Sequence, residues 1–575
     1  MRAGVARAPT RRVSPSTAAW IGLAVLLAAA AVLLVSLTRD TTLWRDEWTW
    51  ALYRRGNTAG TFLEPHYGHL SLVPIALYRL LFATAGLDNY LPYRLLVIGA
   101  HLGCATLVFL YARRRVGAPL ALVPAALLTF FGPTAQNFIW PFQVGWLISL
   151  GAGVAALLML DRRDRLGDIA ASALLAVSLG SSALGIPIAL GLAVDVLWGR
   201  RNWRHAWIVG APLVLYGLWW IRYQTNETER WGHDVYLTPN WVFSAPADAL
   251  SSLVGLGGGA TIDGPQSALT WGAPLGLIAL AAMVWRLTRL REIPPRVLTL
   301  ITIPVAFWVL TALGRAFFGA PSSGRYVYVG GLFILLLAAE LARGLSVQRR
   351  TALLVAVVTA AAVLSNVSSL RDAAHVLRLQ GSLTRAELGT LEIARPLVDP
   401  GYVSEGFLFD EIVAGPYFAA RDELGSPAAT PAEIAADPEP IRASADSQLV
   451  HIHGLSLQPS SGAVALGARP VLDSASSGTT TEHGACLSFE PAAFAPAAAP
   501  VALQVTVPAA GILVRAEGGA ATVAIRRFAA AYPAQALGTV HASGAATLHI
   551  GADGAPQSWH VRVTPTERAT VCGLG

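Results

Sequence analysis

Charge is what this chain has least of. Only 13% of its 575 residues are charged, while 54% are hydrophobic and the mean hydropathy is +0.51. Soluble domains carry about 25% charged residues, so this balance excludes a water-soluble enzyme of this size and makes the bilayer the main solvent. Cysteine is nearly absent as well. Three cysteines, none in CxxC spacing, exclude a disulfide-rich scaffold and supply no zinc-ligand pattern. The net charge of +7 comes from arginine rather than lysine, in short clusters between apolar runs. A nucleic-acid binder gathers its cations on one face; clusters separated by hydrophobic stretches instead signal membrane topology, and no nucleic-acid partner is expected.

The first apolar run, Ala18 to Leu37, follows Arg2, Arg7, Arg11 and Arg12. It reaches the roughly 20 residues a spanning helix needs. A cleaved signal peptide is the competing reading, but the run is too long and no A-x-A-like site lies between its end and Arg39, so an uncleaved anchor is expected. Further runs near 91–111, 117–132, 143–160, 168–182, 184–198, 205–221, 271–287, 297–314, 326–342 and 351–367 bring the count to about eleven crossings. Helices are the spanning form, because backbone groups in lipid must be satisfied within the segment.

With the amino terminus in the cytoplasm, five arginine clusters fall inside: Arg113–Arg115, Arg162 with Arg163 and Arg165, Arg200 with Arg201 and Arg204, Arg286 with Arg289 and Arg291, and Arg349 with Arg350. Runs 168–182 and 184–198 share Ser181, Ser182, Gly185 and Pro187 between them. They form either a hairpin or one kinked helix, and only the hairpin keeps the later clusters inside. Counting the apolar stretch His69 to Thr84 as a crossing would invert every later loop, so it is expected along the outer leaflet; a short true span is the alternative.

The expected protein is thus an α-helical polytopic membrane protein of the plasma (inner) membrane, with a basic cytoplasmic amino terminus (1–18). A transmembrane domain (19–367) presents outward loops 39–91, 222–270 and 315–325, and a helical connector (368–395) leads to an extracytoplasmic β-rich domain (396–575). In that last part Val501, Leu503, Val505 and Val507 alternate, as do Trp559, Val561 and Val563, which is strand periodicity and fits a β-sandwich. Cys486 and Cys572 lie on the oxidising side and could staple an early strand to the last one, with two free thiols as the alternative. The histidines His451, His453, His541 and His549 are scattered over the expected strands without a paired acid, and Trp559 reads as core.

The outward loops carry the chemistry. LWRDEWTWALY, Leu43 to Tyr53, sets Asp46 and Glu47 side by side among Trp44, Trp48 and Trp50 where the first span surfaces. A carboxylate there can serve as general base if a proton lies within reach. The plainer reading is a polar helix start with an interfacial tryptophan belt. The same loop holds Arg39, Arg45, Arg54, Arg55 and Arg79, with Arg94 just beyond, against the positive-inside bias, which points to an anionic ligand. Arg315, Arg325 and Tyr326 are candidates for gripping a phosphate, since forked guanidinium donors match its oxygens; snorkelling at helix ends is the alternative. His66 and His69, three apart, would share a face on a helix and could bind a metal or hold the acceptor; interfacial hydrogen-bonding or helix capping is the plainer reading. Gln143, after Trp140-Pro141-Phe142, either lines a cavity or satisfies backbone that Pro141 frees, and Arg222 opens the second outward loop.

The acid pair after the first span, the loop with an interfacial helix, and the next span entered through Leu91-Pro92-Tyr93-Arg94 resemble the GT-C superfamily of polytopic glycosyltransferases. The nearest likeness is to lipid A aminoarabinose transferases and protein O-mannosyltransferases, clearest over 19–115 and continuing to about 345. The resemblance implies an inverting transfer. The first-loop acid, similar in place to Asp46, deprotonates an acceptor hydroxyl of a glycan or lipid, which attacks the anomeric carbon of a sugar on polyprenyl phosphate. Where such enzymes often carry Lys-Pro-Pro, this chain has Glu64-Pro65-His66-Tyr67-Gly68-His69, which leaves the subfamily and substrate open. Some members use a divalent cation near the acids; nothing in this sequence requires one, and no metal ligand is assigned. Wall arabinosyltransferases are similar in carrying a sandwich module. A transporter or flippase for a lipid-linked glycan is the alternative, disfavoured by the lack of an internal repeat. A non-catalytic scaffold is the third.

Overall fold

The computed structural model describes residues 14–199, 203–223, 235–257, 269–316, 321–404, 412–492, 501–530 and 534–575. The basic residues Arg2, Arg7, Arg11 and Arg12, the pair Arg200 and Arg201, and much of the expected 222–270 loop lie outside them. The chain divides into two units. One holds the residues through Arg39, Tyr53–Ala85 and Tyr90–Arg378; the other holds Asp40–Leu52, Gly86–Asn89 and Leu379–Gly575.

The first unit is helical. Its helices are α1 (Pro15–Leu37), α3 (Ala59–Leu63), α4 (Leu72–Ala85), α5 (Leu91–Val116), α6 (Ala118–Thr129), α7 (Gln136–Ile139), α8 (Val144–Leu160), α9 (Arg165–Ser181) and α10 (Gly185–Ala193). They continue as α11 (Trp207–Tyr223), α12 (Thr238–Leu253), α13 (Leu269–Thr288), α14 (Pro295–Arg315), α15 (Gly324–Leu341) and the start of α16 (Arg349–Ile393); α2 (Asp46–Tyr53) falls almost wholly in the second unit. The hydroxyl of Ser14 accepts the Thr17 N–H at 3.1 Å and Pro15 occupies the first turn of α1, both favourable for starting a helix. Along its 23 charge-free residues Val25 and Val32 stay exposed, a face suited to lipid rather than water.

Among the described residues, seven helices are long and apolar enough to cross a membrane: α1, α5, α8 with the turn before it, α13, α14, α15 and α16. The other four runs read from the sequence fold as helices of 12, 17, 9 and 17 residues, α6, α9, α10 and α11. Runs 168–182 and 184–198 are two helices rather than one kinked one. Ser182 is extended, and a Cβ at Gly185 would sit 2.6 Å from the Leu179 backbone, so only glycine permits the tight reversal. The stretch from His69 becomes the 14-residue α4, which buries Ile75, Tyr78 and Phe82 on one face.

One end of this unit is stitched by ion pairs. Asp161 accepts from Arg114, Arg115 and Arg296 at 3.3, 2.9 and 3.0 Å; Arg296 also reaches Asp195, and Glu340 takes the Arg115 Nε at 2.9 Å and the Tyr111 hydroxyl at 2.6 Å. These contacts put the carboxyl end of α5, the amino end of α14 and the carboxyl end of α15 together. Arg94, Arg315 and Arg325 therefore share the opposite end. There Arg94 donates to the Val35 carbonyl at 2.5 Å and to Thr38 Oγ1 at 2.9 Å, closing the end of α1. Helices α14 and α15 run antiparallel, Phe307 meeting Tyr326 and Trp308 meeting Gly330. A Cβ at Gly330 would lie 3.2 Å from Trp308 and 3.3 Å from Ala249, so glycine lets α12, α14 and α15 converge.

The second unit combines the end of α16, α17 (Ala414–Leu424), α18 (Pro431–Ala436) and α19 (Glu439–Ile452) with strands β1 (Val403–Ser404), β2 (Ile412–Val413), β3 (Gln458–Pro459), β4 (Val471–Ser476), β5 (Gly478–His483) and β6 (Cys486–Pro491). The remaining strands are β7 (Ala502–Thr506), β8 (Ile512–Glu517), β9 (Ala521–Arg526), β10 (Gln535–Val540), β11 (Ala545–Leu548), β12 (His560–Pro565) and β13 (Arg568–Gly573). Two antiparallel sheets, ordered β10-β9-β12-β7-β4 and β3-β11-β8-β13-β6-β5, share one core, to which Leu503, Val505, Val561 and Val563 contribute from one side and Phe489, Val514 and Val571 from the other. This is a β-sandwich, with Trp559 buried in its core and Cys486 and Cys572 joined across β6 and β13. Asp446 of α19 accepts the backbone N–H groups of Arg527, Phe528 and Ala529, fastening helix to sheet.

Two expectations for this unit need correction. His451 and His453 lie at the end of α19 rather than on strands, and His453 does have a paired acid, with Nε2 2.9 Å from Asp553, itself held by Arg527.

Candidate active site

The acid pair opens α2, and the two carboxylates have different environments. Glu47 is fully buried, and its Oε2 accepts the Trp44 N–H at 3.0 Å while its own N–H reaches the Trp44 carbonyl at 3.3 Å. The carboxylate thus makes the acid's half of a capping box, while the return bond is an ordinary backbone turn to the Trp44 carbonyl. Asp46 is partly exposed in the first turn of the same helix, where a negative charge suits the helix dipole. The tryptophans do not form an interfacial belt: Trp44, Trp48 and Trp50 are buried, Trp48 donating to the Leu43 carbonyl at 3.1 Å and meeting the Tyr417 ring edge-on at 6.1 Å. Packing on α17 and on the close approach at Gly381, where a Cβ would lie 3.3 Å from Asp40 and Thr41 backbone, explains why Asp40–Leu52 belongs to the second unit. Arg45 has φ of 52° and stacks on Trp44 at 4.2 Å.

The remaining candidates sit in the first unit. His66 and His69 do not share a helix face. Tyr67 and Gly68 have φ of 47° and 75°, and the two histidines exchange both backbone hydrogen bonds at 3.0 Å, so they face each other across a two-residue turn. The Tyr-Gly pair adopts the left-handed conformation such a turn requires, which breaks any helix there. The His66 ring meets Phe142 at 5.5 Å, and His69 Nε2 lies 3.5 Å from Arg315 Nη2. A guanidinium can only donate, so Nε2 is the unprotonated acceptor. Burial first, then the Arg315 charge and then His66, push the His69 imidazole down to about 4, and near neutral pH it is uncharged.

Much of the loop's cation surplus is structural. Arg54 donates to the Gly60 and Pro65 carbonyls at 3.0 and 2.8 Å and to Glu64 at 3.1 Å, and Arg79 donates to Asn57 at 3.0 Å. Together with Arg94 they hold backbone and helix ends rather than a ligand. Trp219 of α11 adds a 2.7 Å bond to the Leu63 carbonyl, pinning α3. Three residues on, Arg222 is exposed over Tyr223 and is not brought to His69 or Arg315 by any contact among the described residues.

Arg325 is half-buried at the start of α15, and its Nε lacks a hydrogen-bond partner. Tyr326 beside it is buried in an aromatic cluster, with ring centroids 6.2 Å from Trp146 and Phe307 and 5.6 Å from Trp241. Gln143 is buried in the turn before α8, and its Oε1 has no partner. Sequence reasoning missed further polar groups of this kind: both side-chain polar atoms of buried Gln136, Oδ1 of Asn137, the indole N–H of Trp241 and of Trp308, and Oδ1 of Asp248 are unpaired. Gln136 and Asn137 had a readable signal, an amide pair inside an aromatic run. Asp248 had only its position in a weakly apolar helix. Among the described residues no group of three His, Cys, Asp or Glu could hold a metal ion. A buried donor left unpaired beside an aromatic ring, as the Trp241 indole N–H is beside Tyr326, is a group that a polar ligand with an apolar face can pair.

No family model matches the sequence, and no curated protein does. Solved structures with similar folds include ArnT from Cupriavidus metallidurans bound to undecaprenyl phosphate, at TM-score 0.44 and 15% identity over 72% of this chain and 85% of that one. The apo form of ArnT matches at 0.43 and 15%, over 71% and 90%. The archaeal oligosaccharyltransferase AglB from Archaeoglobus fulgidus, in complex with an inhibitory peptide and a dolichol-phosphate, matches at 0.41 and 14%, over 73% and 65%.

Proposed function

We propose that this chain is an integral membrane glycosyltransferase that moves a sugar from a polyprenyl-phosphate donor to an acceptor hydroxyl on the extracytoplasmic side, with inversion. Arg315 and Arg325 hold the donor phosphate. Asp46 takes the proton from the acceptor hydroxyl of a glycan or lipid, the acceptor oxygen forms the new bond to the anomeric carbon, and the bond from that carbon to the phosphate oxygen breaks. Polyprenyl phosphate leaves as an anion, and the guanidinium charges stabilise it as it forms. Glu47 is a positioning residue, since its carboxylate is committed to the Trp44 amide.

The observation that carries this reading is the end of the first unit where Arg315 meets neutral His69, with Arg325 and unpaired Gln143 on neighbouring helix ends. Arginines 114, 115 and 296 crowd the opposite end. If that end is cytoplasmic by the positive-inside rule, the phosphate-binding end faces outward. His69 contributes by accepting from Arg315 and orienting its guanidinium without adding a second charge.

The test is reconstitution of the full chain in liposomes with a labelled polyprenyl-phosphate sugar and an external acceptor. Label appearing on the acceptor supports the transferase. Translocation of labelled lipid with no glycosyl transfer would replace it with a flippase.

A further inference from the structure

The end of the first unit opposite Arg315 holds a cavity that the transfer chemistry does not use. Its volume is about 350 Å³, and Arg163, Arg165 and Arg204 are among its walls. The loop between α8 and α9 builds one side. There Arg163 has φ of 55° and Asp164 caps α9 by accepting the Gly167 N–H at 2.7 Å. The turn before α11 builds the other: His205 Nδ1 lies 3.0 Å from Asp168 Oδ2, which brings Arg204 to the same cavity. Both acids in the walls are thereby engaged, Asp164 also with Arg162 at 2.9 Å, and Arg163 and Arg165 have no ion-pair partner among the described residues. Four arginines against two carboxylates make the cavity attractive to an anion.

Position selects the kind of anion. Asp161, two residues before Arg163, belongs to the ion-paired end of the helical unit. From Arg165 a stripe runs down α9 at every fourth residue through exposed Ile169, Ala173 and Val177, and from Trp207, also in the cavity wall, another runs down α11 through exposed Ala211, Leu215 and Leu218. The exposed indoles of Trp203 and Trp207 mark the level where headgroups meet hydrocarbon. A soluble anion would use the arginines alone, whereas an amphiphile uses the arginines and both apolar stripes. We propose that this cavity seats the phosphate headgroup of an anionic phospholipid, bound as a resident lipid rather than a substrate, with its acyl chains along α9 and α11. The forked donors of Arg163 and Arg165 take the phosphate oxygens. The site lies at the opposite end of the unit from the proposed donor clamp and does not depend on the transferase reading.

The experiment takes the purified full chain in neutral detergent and titrates it with phosphatidylglycerol, phosphatidylcholine or inorganic phosphate, counting bound molecules by native mass spectrometry. The parent should hold one phosphatidylglycerol about tenfold or more tightly than phosphatidylcholine, as expected for an anionic headgroup among several arginines. The double variant Arg163→Ala with Arg165→Ala should lose that preference. Arg165→Gln alone leaves the Asp164 cap in place and should weaken phosphatidylglycerol several-fold, and it decides the matter if the double variant does not fold. Arg349→Ala with Arg350→Ala removes the same charge from another cluster and should bind as the parent does. A parent with equal affinity for the two lipids, an unchanged preference in Arg165→Gln, or an equal loss in the Arg349 and Arg350 variant would each overturn the site. Displacement of phosphatidylglycerol by an equimolar amount of inorganic phosphate would overturn the lipid assignment in favour of a free anion. Transfer of sugar is not a readout here, so failure of this site and failure of the transferase reading are separate results.

Discussion

Glu47 offers the sharpest separation between a structural and a chemical carboxylate. Its Oε2 accepts the Trp44 amide at 3.0 Å in a fully buried position. A hydrogen bond to a charged acceptor contributes roughly 1.5–3 kcal/mol, and its removal by Glu47→Ala also leaves a buried amide unpaired. The expected loss is therefore about 3 kcal/mol, with faster amide exchange at Trp44. Glu47→Gln keeps an acceptor oxygen in place and should cost only about 1 kcal/mol. Thermal unfolding in nanodiscs and hydrogen exchange read by mass spectrometry measure both effects. Transfer should survive Glu47→Gln within about fivefold, because the substitution leaves the proposed base untouched, whereas losing a general base costs roughly 10²–10⁴. A folded Glu47→Gln protein with a parent-like midpoint but transfer reduced a thousandfold or so would refute the reasoning and make Glu47 the base.

Other consequences are equally concrete. Arg325→Ala and Arg315→Ala should each weaken binding of polyprenyl phosphate by about tenfold or more, the worth of one charge-assisted contact, and unchanged affinity would remove the phosphate clamp. Gly68→Ala meets no atom within 4 Å but must adopt φ of 75°, so it should cost about 1 kcal/mol through strain and loosen the His66–His69 turn; a neutral substitution would show that the turn is not held in that conformation. Burial alone would raise the Asp553 carboxyl, yet hydrogen bonds from His453 and Arg527 outweigh it and hold the group well below its ordinary 3.8. A lowered carboxylate contributes stability that is present above the unfolded value and lost as pH falls through the folded one. The strand-rich unit should therefore lose stability below about pH 4, and Asp553→Asn should flatten that acid dependence in circular-dichroism melts; an unchanged slope would contradict the pairing.

Hydropathy made the long helices legible, because a charge-free run such as Ala18–Leu37 has few other solutions in lipid. Strand alternation likewise pointed to β7 and β12. Long-range partners were not legible. That Asp40–Leu52 belongs with the sandwich depends on Trp48 meeting Tyr417 and on glycine at position 381, contacts separated by more than 300 residues. Spacing alone put His66 and His69 on one helix face, and the Tyr67-Gly68 turn overrode it. Arg54, Arg79 and Arg94 looked like ligand-seeking cations until their carbonyl and side-chain acceptors were visible. Asp248 was silent because one acid in a helix carries no pattern, and only burial without a partner distinguishes it.

The most direct test of the central claim is a single-turnover measurement on the purified full chain in nanodiscs, comparing the parent with Asp46→Asn. The parent should transfer labelled sugar from polyprenyl phosphate to acceptor, and the variant should bind donor with parent affinity while its transfer rate falls roughly 10²–10⁴. Equal rates in the two proteins would contradict the account at its base.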